Sequence, residues 1–385
     1  MGVIEREDAH TSGLYQKRAL AIVRGEGARL WDDAGNEYLD CVGGQGSANL
    51  GHGNPAVADA LAAQARILGS CTELFYSDRR AELYDTLAAI LPPALDRVFL
   101  CSSGTEAVEG ALKFAKVATR RSGIVATMRG FHGKTMGALA ATWGPEYREM
   151  FGPFVPGTTH IPFNKTEALE AAITAETAAF IVELVQGEGG VRPATLEFVR
   201  AAADRCRSQG ALLIVDEVQT GFGRTGTMFA LEQYGVVPDI LCLAKSMAGG
   251  MPMGAIAFSR ALGDLPKRSH SSTFGGNPFA CAAAVAAIGE LQRLGCAANA
   301  AERGRQLLNG LRGIAAPTVR EVRGLGLICG IELKVNAGPT LKALQDRGIL
   351  ALGAGPTVVR YLPPLVISAA QIDRVIAATR DALAV

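Results

Sequence analysis

Between about residues 97 and 260, short apolar runs alternate with longer amphipathic segments, and this alternation restricts the folds open to the chain. Strands buried in a parallel sheet are short and apolar, whereas the helices that connect them have one polar face. The pattern therefore predicts an α/β fold, with a mostly parallel sheet and helices on both of its faces. The predicted strands are 97–101, 123–127, 179–185, 211–215, 239–243 and 254–258, and the helices between them include 106–119 and 196–209.

The two ends of the chain differ in pattern from the middle. Residues 31–38 resemble a hairpin turn, and the chain after about residue 270 has the pattern of a smaller α+β unit. The predicted elements of that unit are a long Ala-rich helix, short strands and a closing helix, at 278–294, around 319–333, at 358–362 and at 370–383.

A chain of 385 residues exceeds the size at which a single hydrophobic core stops growing. We therefore predict a large domain over residues 46–265, which holds the sheet, and a small C-terminal domain over 266–385. Residues 1–45 are predicted to pack with the small domain.

The charge balance argues against nucleic acid and membranes as partners. Lys plus Arg (38) nearly cancels Asp plus Glu (37), so no long-range field attracts an anionic polymer or surface. The N-terminal residues are acidic and mixed, unlike a signal peptide, and no uncharged apolar stretch is long enough to span a bilayer. We predict a cytoplasmic protein.

Cysteine and histidine spacing gives no indication of a metal site. The eight cysteines are scattered without a CxxC pair, which is typical of small buried side chains in a reducing compartment. The five histidines lack the i,i+4 spacing of a zinc helix.

A motif at the end of the first predicted strand suits a bound phosphate. Ser103 and Glu106 have the spacing of a capping box, and Gly104 lets the backbone approach a ligand closely. The start of a helix also exposes free N–H groups and the positive end of its dipole. On these residues alone, an ordinary capped helix is the alternative interpretation.

Two other strand ends carry an ionisable side chain. Asp216 follows the apolar strand 211–215, and Lys245 lies just after the apolar strand 239–243. Ligands of such sheets collect at the carboxyl ends of the strands, so Asp216 is placed to pair with a protonated ring nitrogen. Burial would lower the pKa of Lys245 and make its amine available for a Schiff base. The alternatives are metal ligation or helix capping for Asp216 and a solvated charge in a turn for Lys245.

Two motifs resemble nucleotide-binding loops without their context. Residues 221–226 match GxGxxG, but residues 218–220 intervene after the preceding strand, and residues 227–229 make a poor helix start. Residues 133–135 resemble the end of a P-loop, whose first glycine would fall on Met128. A nicotinamide-dependent dehydrogenase built on 221–226 is the alternative from another enzyme class.

Taken together, these motifs resemble the class III, fold-type I aminotransferases across nearly the whole chain. The resemblance is strongest to acetylornithine aminotransferases and to relatives that serve lysine biosynthesis on an amino-group carrier protein. Several long stretches agree at once in order and spacing, which is more specific than any one of them. The matching stretches are 103–107, 131–133, 186–190, 215–226 and 272–278.

The resemblance implies pyridoxal 5′-phosphate (PLP) as the cofactor and assigns residues to it. Lys245 would carry the Schiff base and shuttle a proton between two substrate carbons, while Asp216 would hold the pyridinium. Thr273 would reach the phosphate from the second subunit of a homodimer with shared active sites. The other implied cofactor residues are Ser103, Gly104 and Thr105 at the phosphate, Phe131 stacked on the ring, His132 beside it, and Gln219 at the ring hydroxyl.

The resemblance also implies the substrate residues. Arg360 would bind the α-carboxylate of glutamate as a planar fork, and Glu188 would pair with that arginine when the other substrate is bound. Lys134 and Ser272 complete the implied substrate set. Lys134 stands where acetylornithine enzymes usually carry arginine, so the charge is kept but the bidentate geometry is lost.

The implied activity transfers an amino group between glutamate and the terminal carbon of an N-acylated ornithine- or lysine-type semialdehyde. The acyl group is left open between acetyl, succinyl and an acidic amino-group carrier protein. Two alternatives share the fold: a 4-aminobutyrate or other ω-amino transaminase, and a glutamate-semialdehyde aminomutase, against which the glutamate-type Arg360 argues.

Overall fold

The computed structural model describes residues 1–384, and its strands and helices alternate through the middle of the chain. The strands are β1 Ile22–Glu26, β2 Arg29–Asp32, β3 Glu37–Asp40, β4 Arg97–Cys101, β5 Gly123–Thr127, β6 Thr158–Ile161, β7 Thr177–Glu183, β8 Val185–Gln186, β9 Arg192–Pro193, β10 Leu212–Asp216, β11 Ile240–Leu243, β12 Gly254–Phe258, β13 Val319–Leu325, β14 Ile328–Leu333, β15 Ile349–Leu350, β16 Leu352–Gly353 and β17 Val358–Tyr361. The α-helices are α1 Val3–Asp8, α2 Gly43–Gly46, α3 Pro55–Ala65, α4 Asp78–Ala88, α5 Gly104–Thr119, α6 Met136–Ala141, α7 Pro145–Arg148, α8 Thr166–Ala172, α9 Leu196–Gln209, α10 Pro278–Arg293, α11 Cys296–Arg312, α12 Gly338–Asp346 and α13 Ala369–Leu383.

The central sheet has seven strands in the order β4-β12-β11-β10-β7-β5-β6. Its middle is parallel, because β10 runs parallel to both β7 and β11, and β5 runs parallel to both β6 and β7. Only β12 is reversed, pairing antiparallel with β11 and β4. The predicted α/β fold with a mostly parallel sheet is therefore confirmed.

Two details of the sheet differ from the sequence prediction. The edge strand β6 was not predicted, because its sequence Thr-Thr-His-Ile lacks the apolar run of a strand buried on both faces. The predicted strand 179–185 divides at Leu184 into β7 and the short β8, which pairs with β9 in a separate ribbon. That division turns the chain after Glu183 and directs residues 186–190 along the edge of the sheet.

Helix α5 follows β4 directly and covers one face of the sheet. It buries Ala107, Val108, Ala111 and Ala115, whose three- and four-residue spacing forms one apolar stripe. These small side chains pack with residues of β5, β10 and β12 in a common core. The start of α5 is thereby held at the carboxyl end of β4.

The N- and C-terminal parts of the chain share a sheet. Strands β1, β2 and β3 form a meander, and β3 then pairs in parallel with β15. The predicted turn at 31–38 is present, with Asp32 Oδ1 accepting hydrogen bonds from the N–H groups of Ala34 (3.1 Å) and Asn36 (2.8 Å). A second small sheet, β13-β14-β17-β16, places Arg360 on β17 between two neighbours.

Within residues 1–384, no single helix combines the length and the apolar character needed to cross a membrane. Only α10 and α11 taken together reach that length and composition, and they are bent by 59° at the break between them. Helix α10 packs against α3 and α4 and buries more than half of its residues.

Candidate active site

A cavity of about 260 Å³ opens at the carboxyl ends of β7, β10 and β11. It is where ligands of parallel α/β sheets bind. Most of the residues expected at the cofactor and part of the expected substrate set meet here. The lining residues are Gly104, Thr105, Phe131, His132, Gly133, Lys134, Glu183, Glu188, Asp216, Val218, Gln219 and Lys245.

Lys245 lies just after β11 in a single turn of 3-10 helix and has a positive φ of 42°. Its side chain is half-buried against the cavity. Burial lowers the pKa of Lys245 to about 8, an effect that Arg360 strengthens and that Glu188 and Asp216 oppose. Near neutral pH a useful fraction of this amine is therefore uncharged and nucleophilic.

Asp216 ends β10 and is paired with a histidine. Its Oδ2 lies 2.8 Å from His132 Nδ1, and its Oδ1 accepts a hydrogen bond from Val218 N–H at 3.0 Å. Both side chains are buried. Burial alone would lower the pKa of His132, but the hydrogen bond and charge of Asp216, with help from Glu183, raise it overall. The pair concentrates negative charge beside a proton donor at the base of the cavity.

Glu183 is a buried carboxylate at the cavity that the sequence motifs did not indicate. It ends β7 and is the register partner of Asp216 on β10. Its oxygens accept hydrogen bonds from Phe131 N–H (2.8 Å) and Gly187 N–H (3.3 Å), and burial raises the pKa of Glu183 to about 7. Like Asp216, it is a carboxylate at the end of an apolar strand, and that pattern would have found it.

The start of α5 provides N–H groups and a close backbone approach. Ser103 caps the helix by accepting a hydrogen bond from Glu106 N–H at 3.3 Å. A Cβ atom on Gly104 would lie 2.6 Å from Val218, so only glycine fits there. The Thr105 hydroxyl is 2.8 Å from that of Thr135, which holds the 131–135 loop against the helix. Such a helix start suits a phosphate.

Two buried polar atoms of residues that line the cavity have no hydrogen-bond partner among the residues described. Among residues 1–384, nothing hydrogen-bonds to His132 Nε2 or to Gln219 Oε1. A side chain on Gly187 would collide with Gln219, so glycine keeps this space open. Because buried polar atoms are normally satisfied, the unpartnered oxygen of Gln219 suits a polar group bound beside it. With Lys245, Asp216 and the start of α5, it fits a phosphorylated aldehyde on a basic aromatic ring.

Arg360 and Glu188 form an ion pair at the edge of the cavity, with 2.7 Å between Nη1 and Oε1. Arg360 is 2% exposed, whereas the side chain of Glu188 keeps 27% of its surface accessible. The Arg360 Nε has no hydrogen-bond partner in the described part of the chain. A buried cation thus faces a carboxylate that is partly exposed.

Lys134 lies at the mouth of the cavity and is exposed. Its Nζ is 5.3 Å from the centre of the Tyr147 ring, a cation–π distance. Tyr147 meets Phe131 edge to face, with ring centres 5.4 Å apart. Tyr147 is a further mouth residue that the sequence motifs did not indicate.

Ser272 and Thr273 lie elsewhere in this chain. They line a separate cavity of about 420 Å³ with Ser102, Glu106 and His270. One chain alone therefore does not bring them together with Lys245.

Residues 221–226, the GxGxxG match, form turns and a bend, and no α-helix starts directly after them, only the short 3-10 helix Ala230–Gln233. The context of a dinucleotide-binding loop is absent from this part of the structure.

Comparison with known proteins agrees with this geometry. The family model "Aminotransferase class-III" matches residues 13–383. The [LysW]-aminoadipate semialdehyde transaminase of Deinococcus radiodurans is 50% identical, over 97% of this chain and 88% of that protein. The acetylornithine aminotransferase of Methanosarcina acetivorans is 42% identical, over 97% and 94%.

A solved structure shows the same fold with a cofactor. The ornithine aminotransferase of Toxoplasma gondii, described with partial occupancy of PLP at its active site, superposes with a TM-score of 0.95 at 33% identity, covering 99% of this chain and 93% of that one. Family, fold and cavity chemistry agree. The chain belongs to the class III aminotransferases and is a PLP-dependent transaminase.

Proposed function

We propose that the enzyme transfers an amino group between glutamate/2-oxoglutarate and the terminal carbon of an N-acylated ornithine- or lysine-type semialdehyde. The observation that carries this proposal is the Arg360–Glu188 ion pair beside Lys245. The Deinococcus and Methanosarcina relatives act, by their names, on a carrier-linked semialdehyde and on acetylornithine. A cytoplasmic role in arginine or lysine biosynthesis follows from the same likeness.

The cavity residues divide the chemistry between them. When bound, PLP supplies the electron sink that stabilises negative charge on the substrate carbon. Lys245 would hold the cofactor through its amine and would move a proton between the two reacting carbons. Asp216, oriented by His132, would keep the ring nitrogen protonated, and Gln219 would hold the ring hydroxyl. Gly104 and Thr105, next to Ser103, would hold the phosphate at the start of α5, and Phe131 would hold the ring.

The ion pair lets one pocket accept two unlike substrates. With glutamate, Arg360 binds the α-carboxylate and Glu188 moves aside. With the terminal amine of the other substrate, no carboxylate occupies that place, and Glu188 neutralises the buried arginine. Lys134, at the mouth, is placed to meet the distant carboxylate of the acylated substrate, and Ser272 completes the substrate set from the second subunit.

A homodimer is part of this proposal. An apolar surface lies on residues 67–76, where Leu74, Phe75 and Tyr76 are 86%, 69% and 106% exposed. Arg80 ties this segment to the turn after Thr273 by donating hydrogen bonds to the carbonyls of Phe75 (2.5 Å) and Gly276 (2.9 Å). A second copy would cover the apolar side chains and supply Thr273 to the phosphate of the neighbouring site.

An unpaired arginine beside the mouth supports a carrier-linked substrate. An outer cleft of about 370 Å³ shares Phe131 and Glu188 with the inner cavity and is also lined by Arg129, Arg192 and Glu332. Arg192 is paired with Glu332 at 3.1 Å, whereas Arg129 is exposed and forms no ion pair with any residue from 1 to 384. An acidic carrier protein would find complementary charge at Arg129.

An amino-acceptor panel with glutamate as donor tests the proposed function. The expected result is the highest kcat/KM with N-acetylated or carrier-linked semialdehydes. Preference for succinic semialdehyde would identify a 4-aminobutyrate-type transaminase instead. Turnover of glutamate semialdehyde without any external amino donor would identify an aminomutase.

A double variant tests whether this surface binds the carrier protein. Replacing Arg129 and Arg192 together by Gln should raise KM for the carrier-linked substrate, and its salt dependence should weaken. KM for the small N-acetyl substrate should stay unchanged. The exposed Arg207, paired with Asp204 on α9, gives the matched control as Arg207→Gln. Equal effects on both substrates would exclude the carrier role of this surface.

A further inference from the structure

Arg224 is a fully buried cation that the proposed function leaves unused. It lies in the glycine-rich segment 221–226, and its relative exposure is 0%. No carboxylate within residues 1–384 forms an ion pair with it, and its Nε has no partner there. A lone buried guanidinium is costly unless its remaining N–H groups are well satisfied.

Its other N–H groups reach three separate segments. Nη1 donates hydrogen bonds to the carbonyl oxygens of Leu327 (2.9 Å) and Pro363 (2.5 Å), and Nη2 donates one to Asn49 Oδ1 (2.5 Å). The Arg224 carbonyl in turn accepts a hydrogen bond from Leu327 N–H at 2.9 Å. The side chain therefore joins the loop after β10 to the β13–β14 turn, to the chain after β17, and to the segment after α2.

Two of these connections lead to Arg360 and Gln219, whose side chains both approach Gly187 at the active site. Pro363 stands three residues after Arg360, on the same extended segment. Gln219 stands five residues before Arg224, and its side chain meets the backbone of Gln45 in the Asn49 segment, with 3.4 Å between Nε2 and the carbonyl oxygen. A shift of the guanidinium would change the separation of Arg360 and Gln219.

The shape of arginine explains its use here. Burial lowers the pKa of Arg224 to about 10, so the group remains a cation at neutral pH. Its planar fork reaches three acceptors from two separate nitrogens, whereas the ammonium of lysine offers its three N–H groups from a single point and an apolar side chain offers none. Buried cations in some proteins are retained because they fix geometry rather than because they add stability.

We propose that Arg224 is a positioning residue that fixes Arg360 relative to the cofactor pocket and so sets the affinity for the α-carboxylate of glutamate. The inference rests on the proposed role of Arg360. It gives the segment 221–226 a function in substrate geometry in place of nucleotide binding.

Three variants of the PLP-loaded enzyme test the inference: Arg224→Met, Arg224→Lys and Arg121→Met. Arg121 is the matched control because its guanidinium also has three acceptors, the backbone carbonyls of Thr177, Gln209 and Gly210, at the far end of the sheet. Each variant is assayed for amination of the bound cofactor by glutamate, with KM and the maximal rate separated. PLP affinity and the melting temperature are measured alongside.

For Arg224→Met the KM for glutamate should rise on the order of 10- to 100-fold, because misplacement of a binding group by about 1 Å costs that much. The KM for glutamate of Arg224→Lys should lie between those of Arg224→Met and wild type. If Arg224→Met does not fold, Arg224→Lys still tests the inference. PLP affinity should stay within about twofold of wild type in both, and Arg121→Met should leave KM unchanged.

An unchanged KM for glutamate in Arg224→Lys and Arg224→Met would overturn the inference. So would a parallel loss of PLP affinity and glutamate affinity, since that indicates general loosening of the fold. The assay uses glutamate alone, so its outcome is independent of whether the acceptor panel supports N-acylated semialdehydes.

Discussion

The floor and the mouth of the active-site cavity hold their charges in different ways. At the floor, Asp216, His132 and Glu183 are buried, and each is fixed by a neighbouring side chain or a backbone N–H group. At the mouth, Lys134 and Arg129 are exposed, and Lys134 has only an aromatic ring beside it.

This difference follows from the cost of removing charge from water. A buried charge without a partner is strongly destabilising, so the floor tolerates few arrangements. An exposed charge stays solvated and contributes little to stability, so side chains at the mouth are free to differ between related enzymes. We infer that the floor determines the cofactor chemistry and that the mouth selects the substrate. Substitutions at each place test that division, and the largest expected effect is at the floor.

Lys245→Ala should reduce turnover by about 10⁴-fold or more, because both the attachment of the cofactor and the proton transfer are lost. The measurement is steady-state kcat together with the visible absorbance of PLP-treated protein. Lys342→Ala, at an exposed lysine paired with Asp346 on α12, is the control and should behave as wild type. Retained absorbance and activity in Lys245→Ala would show that the floor has been assigned wrongly.

Asp216→Asn should retain PLP but lose catalytic rate on the order of 10²- to 10³-fold, since a charge that stabilises the reacting state is removed. Asp239 gives a matched control. It is also a carboxylate that accepts a backbone N–H, from Leu213 at 2.8 Å, but it lies before β11 rather than after β10. If Asp239→Asn lost as much rate as Asp216→Asn, the position of Asp216 at the carboxyl edge of the sheet would not explain its effect on catalysis.

The rate at which PLP attaches to cofactor-free enzyme should rise with pH. Because the pKa of Lys245 is lowered to about 8, protonation blocks the amine below that pH and release of the proton exposes it above. The uncharged fraction is about one tenth at pH 7 and about nine tenths at pH 9. Stopped-flow absorbance measures the rate of PLP attachment. The same measurement on Lys245→Ala gives the background from PLP that reacts with amines on the protein surface. A pH-independent rate would mean that burial does not tune this lysine.

Lys134→Arg should lower KM for N-acetylornithine by up to about fivefold, the range of exposed ion pairs, and leave the glutamate step unchanged. The planar fork of arginine would bind the substrate carboxylate in a bidentate manner. Initial rates with both substrates provide the test. A change in PLP affinity in Lys134→Arg would contradict the proposed division of roles, because it would show that a mouth residue also affects cofactor binding at the floor.

The sequence predicted the elements that hold the floor. Strands β4, β5 and β12 begin and end where the apolar runs do, and Asp216 and Lys245 follow strands whose interior is apolar. Such runs are local in the sequence, so they can be recognised without knowledge of the rest of the fold. The division of the chain near residues 45 and 265 stays a prediction, as do the catalytic and binding roles of the individual residues.

The sequence did not predict several of the groups that meet at the site. Glu183 was not recognised because it falls within the predicted strand 179–185. Of the two residues whose N–H groups it binds, Phe131 is distant in sequence and Gly187 follows the point where that strand is broken. Tyr147 and Arg192 reach the mouth from segments that carry no recognised motif. Pairings of this kind depend on strand register and on how loops pack, and sequence spacing does not encode them.

By itself, the sequence determined the α/β fold, the cofactor and the residues at the ends of the sheet strands. Apolar periodicity and long motifs consist of residues that are close in sequence, so they can be recognised without the structure. Only the tertiary structure decided that His132 is the partner of Asp216, that the N–H groups of Phe131 and Gly187 bind Glu183, and that Arg224 is buried between four segments. The physical reason is that the energy of a charge depends on its surroundings in three dimensions, which the folded chain assembles from distant residues.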